Sequence, residues 1–298
     1  MNRLHLVRSP TGGSPRSRRR IEHLLQHYRS VGIEPVDLTG DGPDESRRAI
    51  RDAREDGLLE RLVVVGGDGL VNLVVQELAM TEIPVGIVPT GTGNDFAAAL
   101  GVEGTGREGT VGPTSAVDLV RVTPSGVASQ SAATWVASIA ILGFPAAINA
   151  RANRMRLRLG PAIYAVSAAL ELPTFRRNHV ELEIDGEHIR TDTAMLAIGN
   201  TRFFGGGMLP LPDARHDDGL LHLTSIEGVG RLGMLPHLLG RKGGTADRPE
   251  VLRRHGTRVS IESGDLDVWG DGEQLGTTPA TIDIVPGALH VAGIPTVE

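Results

Sequence analysis

Two glycine-rich stretches, VVVGGDGLVN at residues 63–72 and GIVPTGTGNDFAAALG at residues 86–101, carry the strongest fold signal in this 298-residue chain. Each begins as an apolar run, which is typical of a strand buried on both faces of a sheet. A glycine-rich loop follows in each, and after it come apolar residues at helical spacing. Two consecutive strand–loop–helix units of this kind predict a parallel sheet.

The same alternation of strands and helices continues towards the amino terminus. Apolar runs predict strands at residues 4–7 and 33–38, and apolar spacing predicts helices around residues 21–31 and 43–56. Strands that alternate with helices form parallel sheets with right-handed crossovers. We therefore expect an α/β fold whose amino-terminal domain, residues 1–121, contains a doubly wound parallel sheet.

The pattern changes after about residue 120. Residues 180–185 alternate apolar and acidic side chains, and Asp185-Gly186 is typical of a hairpin turn. Similar alternation returns at residues 221–224, 259–261 and 282–284. We expect residues 122–298 to form a mostly antiparallel β-sandwich domain, whose tail from Ala288 either stays there or returns to the first domain.

Composition excludes several classes of protein. The chain has 30 Lys and Arg against 36 Asp and Glu, a net charge of −6, whereas nucleic-acid-binding proteins usually present a strong positive field. Cysteine is absent, so disulfides and thiolate nucleophiles are excluded, which fits a cytoplasmic location. Because Lys242 is the only lysine, the chain has neither a Walker A loop nor the strand lysine of a protein kinase.

The glycine loops have the chemistry of a phosphate-binding site. Glycine lacks a Cβ, so backbone amides can approach a phosphate, and the helix that follows adds partial positive charge. Ligands of parallel α/β sheets bind at the edge where such loops lie. Each loop by itself could equally be an ordinary connection. Neither completes the G-x-G-x-x-G fingerprint of a dinucleotide oxidoreductase, since Asn72 and Phe96 stand at its last position.

Two carboxylates accompany these loops, Asp68 inside the first and Asp95 directly after the second. A carboxylate beside a phosphate is repulsive unless a cation lies between them, and Mg²⁺ is the usual solution. Both acids could instead stabilise their turns. Two such acids in two adjoining loops favour a magnesium-bound nucleotide, so residues 1–121 are predicted to be a nucleotide-binding domain.

The two stretches resemble the catalytic domain of the diacylglycerol kinase and sphingosine kinase superfamily, most closely the soluble bacterial lipid kinases. The family pattern is G-G-D-G-T, then P-x-G-T-x-N-D-F-A-x-x-L-G, and the second motif is matched from Pro89 to Gly101. The resemblance implies an enzyme that uses ATP and Mg²⁺. Its reaction would be transfer of the γ-phosphoryl group to the hydroxyl of diacylglycerol or a related long-chain lipid alcohol.

The resemblance also implies which residues bind ATP and the cation. Those near ATP would be Ser9, Pro10, Thr11, Gly12, Gly13, Thr39, Gly66, Gly67, Asp68, Gly69, Asn72, Gly91, Thr92 and Asn94. Asp68, Asp95 and Asp118 would hold Mg²⁺ directly or through water.

In the second domain the resemblance implies a catalytic base and a second metal. One carboxylate of the Asp271–Glu273 pair would accept the proton of the lipid hydroxyl. A structural metal would be held by the Asp218 carboxylate, with Arg215 and Leu220 offering backbone carbonyls. The tripeptide D-G-E also occurs at residues 185–187, where we expect a plain hairpin turn.

Two alternatives to a lipid kinase stay open. One is a kinase of a soluble acceptor such as NAD, because that related family shares G-G-D-G and a β-rich second domain. The other is a catalytically weak nucleotide- or lipid-binding module. It is suggested by Leu70 and Ala98, which replace the threonine and the basic residue of the family pattern.

The expected partners follow from a lipid substrate. Arg151, Arg154, Arg156 and Arg158 lie in a helical pattern and form either a patch for anionic headgroups or a solvated helix face. We expect transient peripheral contact with the inner face of the membrane and no nucleic acid. Whether the chain forms a homodimer is left open.

Overall fold

The computed structural model describes residues 3–9, 15–102, 112–125, 133–155, 162–234, 237 and 248–295. By their internal contacts the residues form two compact units, Met1–Asp118 with Pro286–Glu298, and Leu119–Val285. This division differs from a single boundary after residue 121. Two long strands contribute to both units, and the carboxyl-terminal segment belongs to the first.

The first unit alternates strands and helices. Its elements are β1 (Arg3–Arg8), α1 (Pro15–Ser30), β2 (Glu34–Asp37), α2 (Pro43–Glu55), β3 (Leu62–Gly66), α3 (Asp68–Leu78), β4 (Val85–Pro89) and α4 (Asp95–Ala99). The first part of β5 (Thr114–Pro124) and the end of β15 (Ala280–Ala292) complete it. Every strand and helix that the sequence predicted up to α4 is present.

The strands of the first unit form a parallel sheet in the order β2–β1–β3–β4–β15. Strand β1 pairs with β2 and β3, β3 pairs with β4, and Val291 of β15 lies opposite Val85 of β4. Strand β3 is buried at every residue, as its apolar run predicted. Because these strands share one direction, the loops after β1 to β4 leave the sheet at the same edge, the carboxyl edge.

Helices cover this sheet. Ile21, Leu24 and Tyr28 of α1 pack in one apolar cluster with residues of β1, β3 and β4. Helices α2 and α3 are joined by a two-bond ion pair, in which Arg51 Nε and Nη2 donate to Glu77 Oε2 at 3.1 Å and Oε1 at 2.9 Å. The doubly wound α/β architecture is thereby confirmed.

The second unit contains the remainder of β5 and β15 and two helices among further strands. Its elements are β6 (Thr134–Val136), β7 (Ile139–Gly143), α5 (Phe144–Arg154), α6 (Ala162–Glu171), β8 (Asn178–Ile184), β9 (Glu187–Gly199), β10 (Leu221–Glu227), β11 (Val251–Gly256), β12 (Arg258–Ile261), β13 (Asp267–Gly270) and β14 (Glu273–Thr277). Short 3₁₀ helices lie at Leu172–Thr174 and Leu232–Met234.

Strand β9 joins the two sheets of this unit. Its first half pairs with β8, and its second half pairs with β7 on one side and β10 on the other, all antiparallel. One sheet runs β14–β13–β7–β9–β10–β11 and the other β9–β8–β12–β15–β5–β6. Residues of both sheets, among them Leu142, Leu182 and Leu223, fill one buried cluster. The predicted antiparallel β-sandwich is therefore confirmed.

Helices α5 and α6 lie against a second apolar cluster, which contains Ile141, Phe144 and Trp269. Residues of α5, α6 and the Leu232–Met234 turn pack in or against this cluster, so all three segments cover the same layer of the unit. Among the described residues, no helix combines the length and the apolar character needed to cross a membrane.

Candidate active site

The loops after β3 and β4 touch backbone to backbone at the carboxyl edge. The N–H of Thr90 donates to the carbonyl oxygen of Gly66 at 2.9 Å. A Cβ on Gly91 would lie 2.5 Å from the Cα of Gly67, and a Cβ on Gly67 would lie 3.0 Å from the Cα of Gly91. Gly91 therefore requires glycine, and a Cβ on Gly67 would fit only if the loops moved apart by a few tenths of an ångström. The two predicted phosphate loops form one continuous surface.

Asn94 closes the second loop. Its Oδ1 accepts a hydrogen bond from the N–H of Gly91 and its Nδ2 donates to the carbonyl of Gly91, both at 2.9 Å. The φ of Asn94 is 57°, a left-handed conformation that asparagine tolerates better than most residues. The Asn94 side chain thus shapes the loop, while Thr92 at its tip is exposed.

The first acid, Asp68, reaches the start of α4, the helix after the second loop. Asp68 begins α3, and its Oδ1 accepts a hydrogen bond from the N–H of Phe96 at 3.3 Å. The residue before Phe96 is the second acid, Asp95, which begins α4 and is buried at 8% exposure. The fold therefore brings the Asp68 carboxylate beside the backbone that carries Asp95.

These residues fit a magnesium-bound phosphate. Carboxylate oxygens are the donors that Mg²⁺ prefers, and it commonly uses one or two of them together with substrate phosphates. The glycine backbone supplies a surface free of side chains where phosphate oxygens can approach amides. Asp68 and Asp95 could hold the cation, and the amides of residues 66–69 and 91–94 could bind the phosphates.

Strands β1 and β2 bring two further predicted residues to the same edge. The N–H of Ser9, after β1, donates to the carbonyl of Val65 at 3.2 Å. Thr39, after β2, accepts a hydrogen bond at Oγ1 from the N–H of Arg8 at 2.9 Å. Pro10, Thr11, Gly12 and Gly13 lie outside the described residues.

Leu70, which stands where the family pattern has threonine, lies in the first turn of α3. A Cβ on Gly66 would lie 2.6 Å from Cδ2 of Leu70, so the leucine packs directly over the Gly66 backbone. Asn72 is buried one turn further on, where its Oδ1 accepts from Nε2 of Gln76 at 3.5 Å. Gly69 faces open space, so its lack of a Cβ is not required by packing.

Asp118 lies at the opposite edge of the first unit. It is buried, and its Oδ1 accepts a hydrogen bond from the N–H of Gly287 at 2.9 Å. The next carbonyl along β15 accepts from the N–H of Met80 at 2.7 Å, in the connection that enters β4 at its amino end. The Asp118 carboxylate therefore holds β15, and its predicted place beside Mg²⁺ stays a prediction.

In the second unit, Asp271 is a fixed carboxylate. It lies in the turn between β13 and β14 with a φ of 49°. Its Oδ2 accepts from the N–H of Ala137 at 2.6 Å and its Oδ1 from the N–H of Ser138 at 3.1 Å. Glu273, the first residue of β14, is exposed. Sequence reasoning missed the two amides, since nothing local marks them.

The other D-G-E is the plain hairpin turn that the sequence predicted. Ile184 lies opposite Glu187, so two residues connect β8 to β9. The Asp185 carboxylate accepts from Thr257 N–H at 2.8 Å, Thr257 Oγ1 at 2.9 Å and Arg258 N–H at 2.9 Å. These bonds, that of the Thr257 backbone first, hold the pKa of Asp185 below its usual range.

The loop predicted to hold a structural metal is engaged with its own protein groups. Asp218 Oδ1 accepts from the N–H of Leu220, and Asp218 Oδ2 contacts Nε2 of His222, both at 3.0 Å. Arg215 pairs with Asp217 at 3.2 Å. No motif in the sequence pointed to His222, which lies four residues beyond Asp218. A metal at this loop stays a prediction.

Two family models together match most of the chain. Residues 3–122 match the diacylglycerol kinase catalytic domain, and residues 138–293 match the YegS C-terminal NAD kinase beta sandwich-like domain. These matches follow the α/β part and the β-sandwich part described above.

Relatives match over most of their length. A diacylglycerol kinase of Mycobacterium tuberculosis is 32% identical over 292 residues, which cover 95% of this chain and 92% of the relative. The lipid kinase YegS of Escherichia coli K12 is 28% identical over 256 residues, 83% of this chain and 82% of that protein.

Solved structures share the fold. A crystal structure of a diacylglycerol kinase from Bacillus anthracis has a TM-score of 0.70 at 17% identity, over 97% of this chain and 96% of that chain. Yeast NADH kinase has a TM-score of 0.50 at 15% identity, over 98% and 83% of the two chains. At these identities the likeness is one of fold alone.

Proposed function

We propose, from the premise that this chain belongs to the diacylglycerol kinase family of lipid kinases, that it phosphorylates diacylglycerol or a related long-chain lipid alcohol. The phosphoryl donor would be ATP with Mg²⁺. The observation that carries the proposal is the backbone contact of Gly67 with Gly91, with Asp68 and Asp95 beside it. A soluble acceptor would not require a different loop, so the choice of lipid rests on the family.

The first unit would bind the nucleotide. Loop amides would donate to phosphate oxygens, and Ser9 and Thr39 would lie towards the nucleoside. Asp68 and Asp95 would hold Mg²⁺, which when bound neutralises charge on the phosphates. The fixed backbone of the two loops lowers the entropic cost of positioning the γ-phosphoryl group.

The second unit would supply the base, and we assign it to Asp271. The lipid hydroxyl oxygen attacks the γ-phosphorus, the bond from that phosphorus to the bridging oxygen breaks, and ADP leaves. The proton of the hydroxyl passes to the carboxylate. Two backbone amides fix the orientation of Asp271, and a fixed carboxylate is suited to accept the proton at a defined position. Glu273, by contrast, is exposed.

The direct test is magnesium-dependent transfer of labelled phosphate from ATP to lipids in detergent micelles. Wild-type protein should label diacylglycerol or another long-chain alcohol in an extracted lipid panel. Gly91→Ala should abolish ATP binding, because its Cβ would push the two loops apart. Gly42→Ala is the matched control, since a Cβ there meets no atom within 4 Å and the φ is −152°.

The competing acceptor is assayed in the same experiment. NAD is offered beside diacylglycerol at equal ATP and Mg²⁺. Labelling of NAD but of no lipid contradicts the proposal in favour of a soluble acceptor. Tight ATP binding without transfer to any acceptor contradicts it in favour of a binding module.

The location follows from the acceptor. An enzyme that uses cytoplasmic ATP and a bilayer lipid would act in the cytoplasm, at the inner face of the membrane. Its contact with the bilayer would be peripheral and transient.

A further inference from the structure

Helix α6 reverses the usual distribution of side chains on a surface helix. Tyr164 is 42%, Val166 36% and Leu170 49% exposed, whereas Ser167 is completely buried. The Ser167 hydroxyl donates to Sδ of Met155 at 3.4 Å. Surface helices normally turn their apolar side towards the core. Here the serine faces inwards, and the other exposed positions before Glu171 are alanines.

The acid that ends this helix is already paired. Glu171 Oε1 lies 2.6 Å from Nε of Arg151, and Glu171 Oε2 accepts from the hydroxyl of Thr174 at 2.9 Å. Shortly after the helix, Arg176 and Arg177 are both exposed. The helix thus presents an apolar surface with its own carboxylate paired and two guanidinium groups following in the chain.

A second exposed apolar side chain belongs to the same layer. Leu232 is 77% exposed in the 3₁₀ helix after β10. Met234, two residues on, is buried in the cluster that also contains Phe144 and against which Ala168 of α6 packs. The exposed apolar side chains of α6 and Leu232 therefore belong to one layer of helices, which covers the sheet that contains β7, β9 and β10.

We propose that α6 and Leu232 form a docking surface that inserts shallowly into an anionic lipid bilayer. This inference rests on the proposed function, because a lipid acceptor is available to the enzyme only from a bilayer. Apolar side chains of an interfacial helix enter the acyl boundary, while Arg176 and Arg177 attract anionic headgroups.

A bilayer fits this surface better than a second copy of the chain does. A ten-residue helix is about 15 Å long. A stable protein interface buries about 800 Å² on each partner, which so short a helix cannot supply. The two exposed arginines that follow the helix match the anionic headgroups of a bilayer.

The test compares two leucine-to-glutamate variants in vesicle flotation. Leu170→Glu should lower the fraction bound to vesicles of phosphatidylcholine and phosphatidylglycerol by about tenfold or more, since an exposed apolar side chain that would enter the acyl region is replaced by a charge. Leu58→Glu is the matched control. Leu58 is 51% exposed but belongs to the first unit, so its replacement should leave vesicle binding unchanged. Circular dichroism and thermal unfolding establish that both variants fold.

A second variant tests the charged part of the surface. Replacing Arg176 and Arg177 together by glutamine should weaken binding to the anionic vesicles about tenfold and leave binding to phosphatidylcholine alone unchanged. Equal binding of Leu170→Glu and wild type, or an equal loss in Leu58→Glu, overturns the proposal. So does a wild-type dimer in sedimentation that Leu170→Glu dissociates.

Activity separates this inference from the proposed function. Leu170→Glu should keep wild-type transfer to lipid in detergent micelles and lose it on vesicles. If wild-type protein binds anionic vesicles but labels no lipid in either format, the proposed function fails while the docking surface stands. If the variant keeps full activity on vesicles, the docking surface fails while the kinase stands.

Discussion

The two D-G-E turns of the second unit have the same residues and nearly the same backbone. Asp185 and Asp271 have φ values of 47° and 49°, and the glycines that follow have φ values of 93° and 88°. Both carboxylates accept backbone N–H groups from residues distant in sequence, and both glutamates that follow are exposed. The two turns therefore have nearly the same backbone conformation and the same kinds of hydrogen bond.

The difference lies in what each carboxylate holds. Asp185 binds Thr257 and Arg258, at the start of β12, and is itself exposed. Asp271 is partly buried and binds Ala137 and Ser138, just before β7. A tripeptide motif therefore does not identify a base, and the paired turns serve as controls for each other.

The largest expected effect separates the two aspartates by turnover. Asp271→Asn should lower kcat for lipid phosphorylation by about 10²- to 10⁴-fold, because proton acceptance is lost. Asp185→Asn should leave kcat unchanged. Both are measured at saturating ATP, Mg²⁺ and micellar lipid. Equal kcat values for the two variants would mean that Asp271 has the same structural role as Asp185.

The next largest effect is the pH dependence of stability that arises from Asp185, in the turn between β8 and β9. Because hydrogen bonds lower the folded-state pKa of Asp185, its stabilisation is present above the unfolded-state pKa and is lost as pH falls through the folded-state pKa. Asp185→Asn should lower the free energy of unfolding by about 1–2 kcal/mol at neutral pH. The gap to wild type should narrow below about pH 4. Urea titrations that give a constant gap down to strongly acidic pH contradict this.

A smaller effect on stability is expected when the glycines of the two turns, Gly186 and Gly272, are replaced by alanine. A Cβ on Gly186 or Gly272 meets no atom within 4 Å, so alanine is opposed by positive φ alone. Each substitution should cost about 1–2 kcal/mol of unfolding free energy. Gly272→Ala should in addition lower kcat, because it shifts Asp271. Denaturant unfolding measures the first quantity, and unequal costs would show that the two backbones differ in strain.

The smallest effect is expected at the two glutamates. Glu187→Gln and Glu273→Gln change exposed side chains, so unfolding free energies should shift by less than about 0.5 kcal/mol. With Asp271 as the base, kcat of Glu273→Gln should stay within about twofold of wild type, as for Glu187→Gln. A loss in Glu273→Gln as large as that in Asp271→Asn would transfer the role of base to Glu273.

Much of the first unit could be predicted from the sequence because its signals are local. The apolar run of β3 and the helical spacing of α3 lie within a few residues of each other. A parallel sheet then puts the loops after β3 and β4 at one edge without further information. The contact of Gly67 with Gly91 is the expected consequence of that arrangement.

Asp118 and Asp271 could not be located in this way. The partner of Asp118 is 169 residues away in sequence, and the first partner of Asp271 is 134 residues away. No periodicity or spacing in the sequence encodes such pairs. The motif around Asp118 suggested a cation ligand, and the path of β15 adds a contact with Gly287 that the motif did not indicate.

The parallel sheet, the paired glycine loops and the acids beside them follow from local sequence patterns, because apolar periodicity and the lack of a Cβ act over short stretches. Long-range packing sets which groups each acid contacts, which D-G-E turn holds the approach to β7, and that α6 turns its serine inwards. These outcomes depend on packing between strands and helices far apart in the chain, where each side chain takes the environment that its neighbours leave.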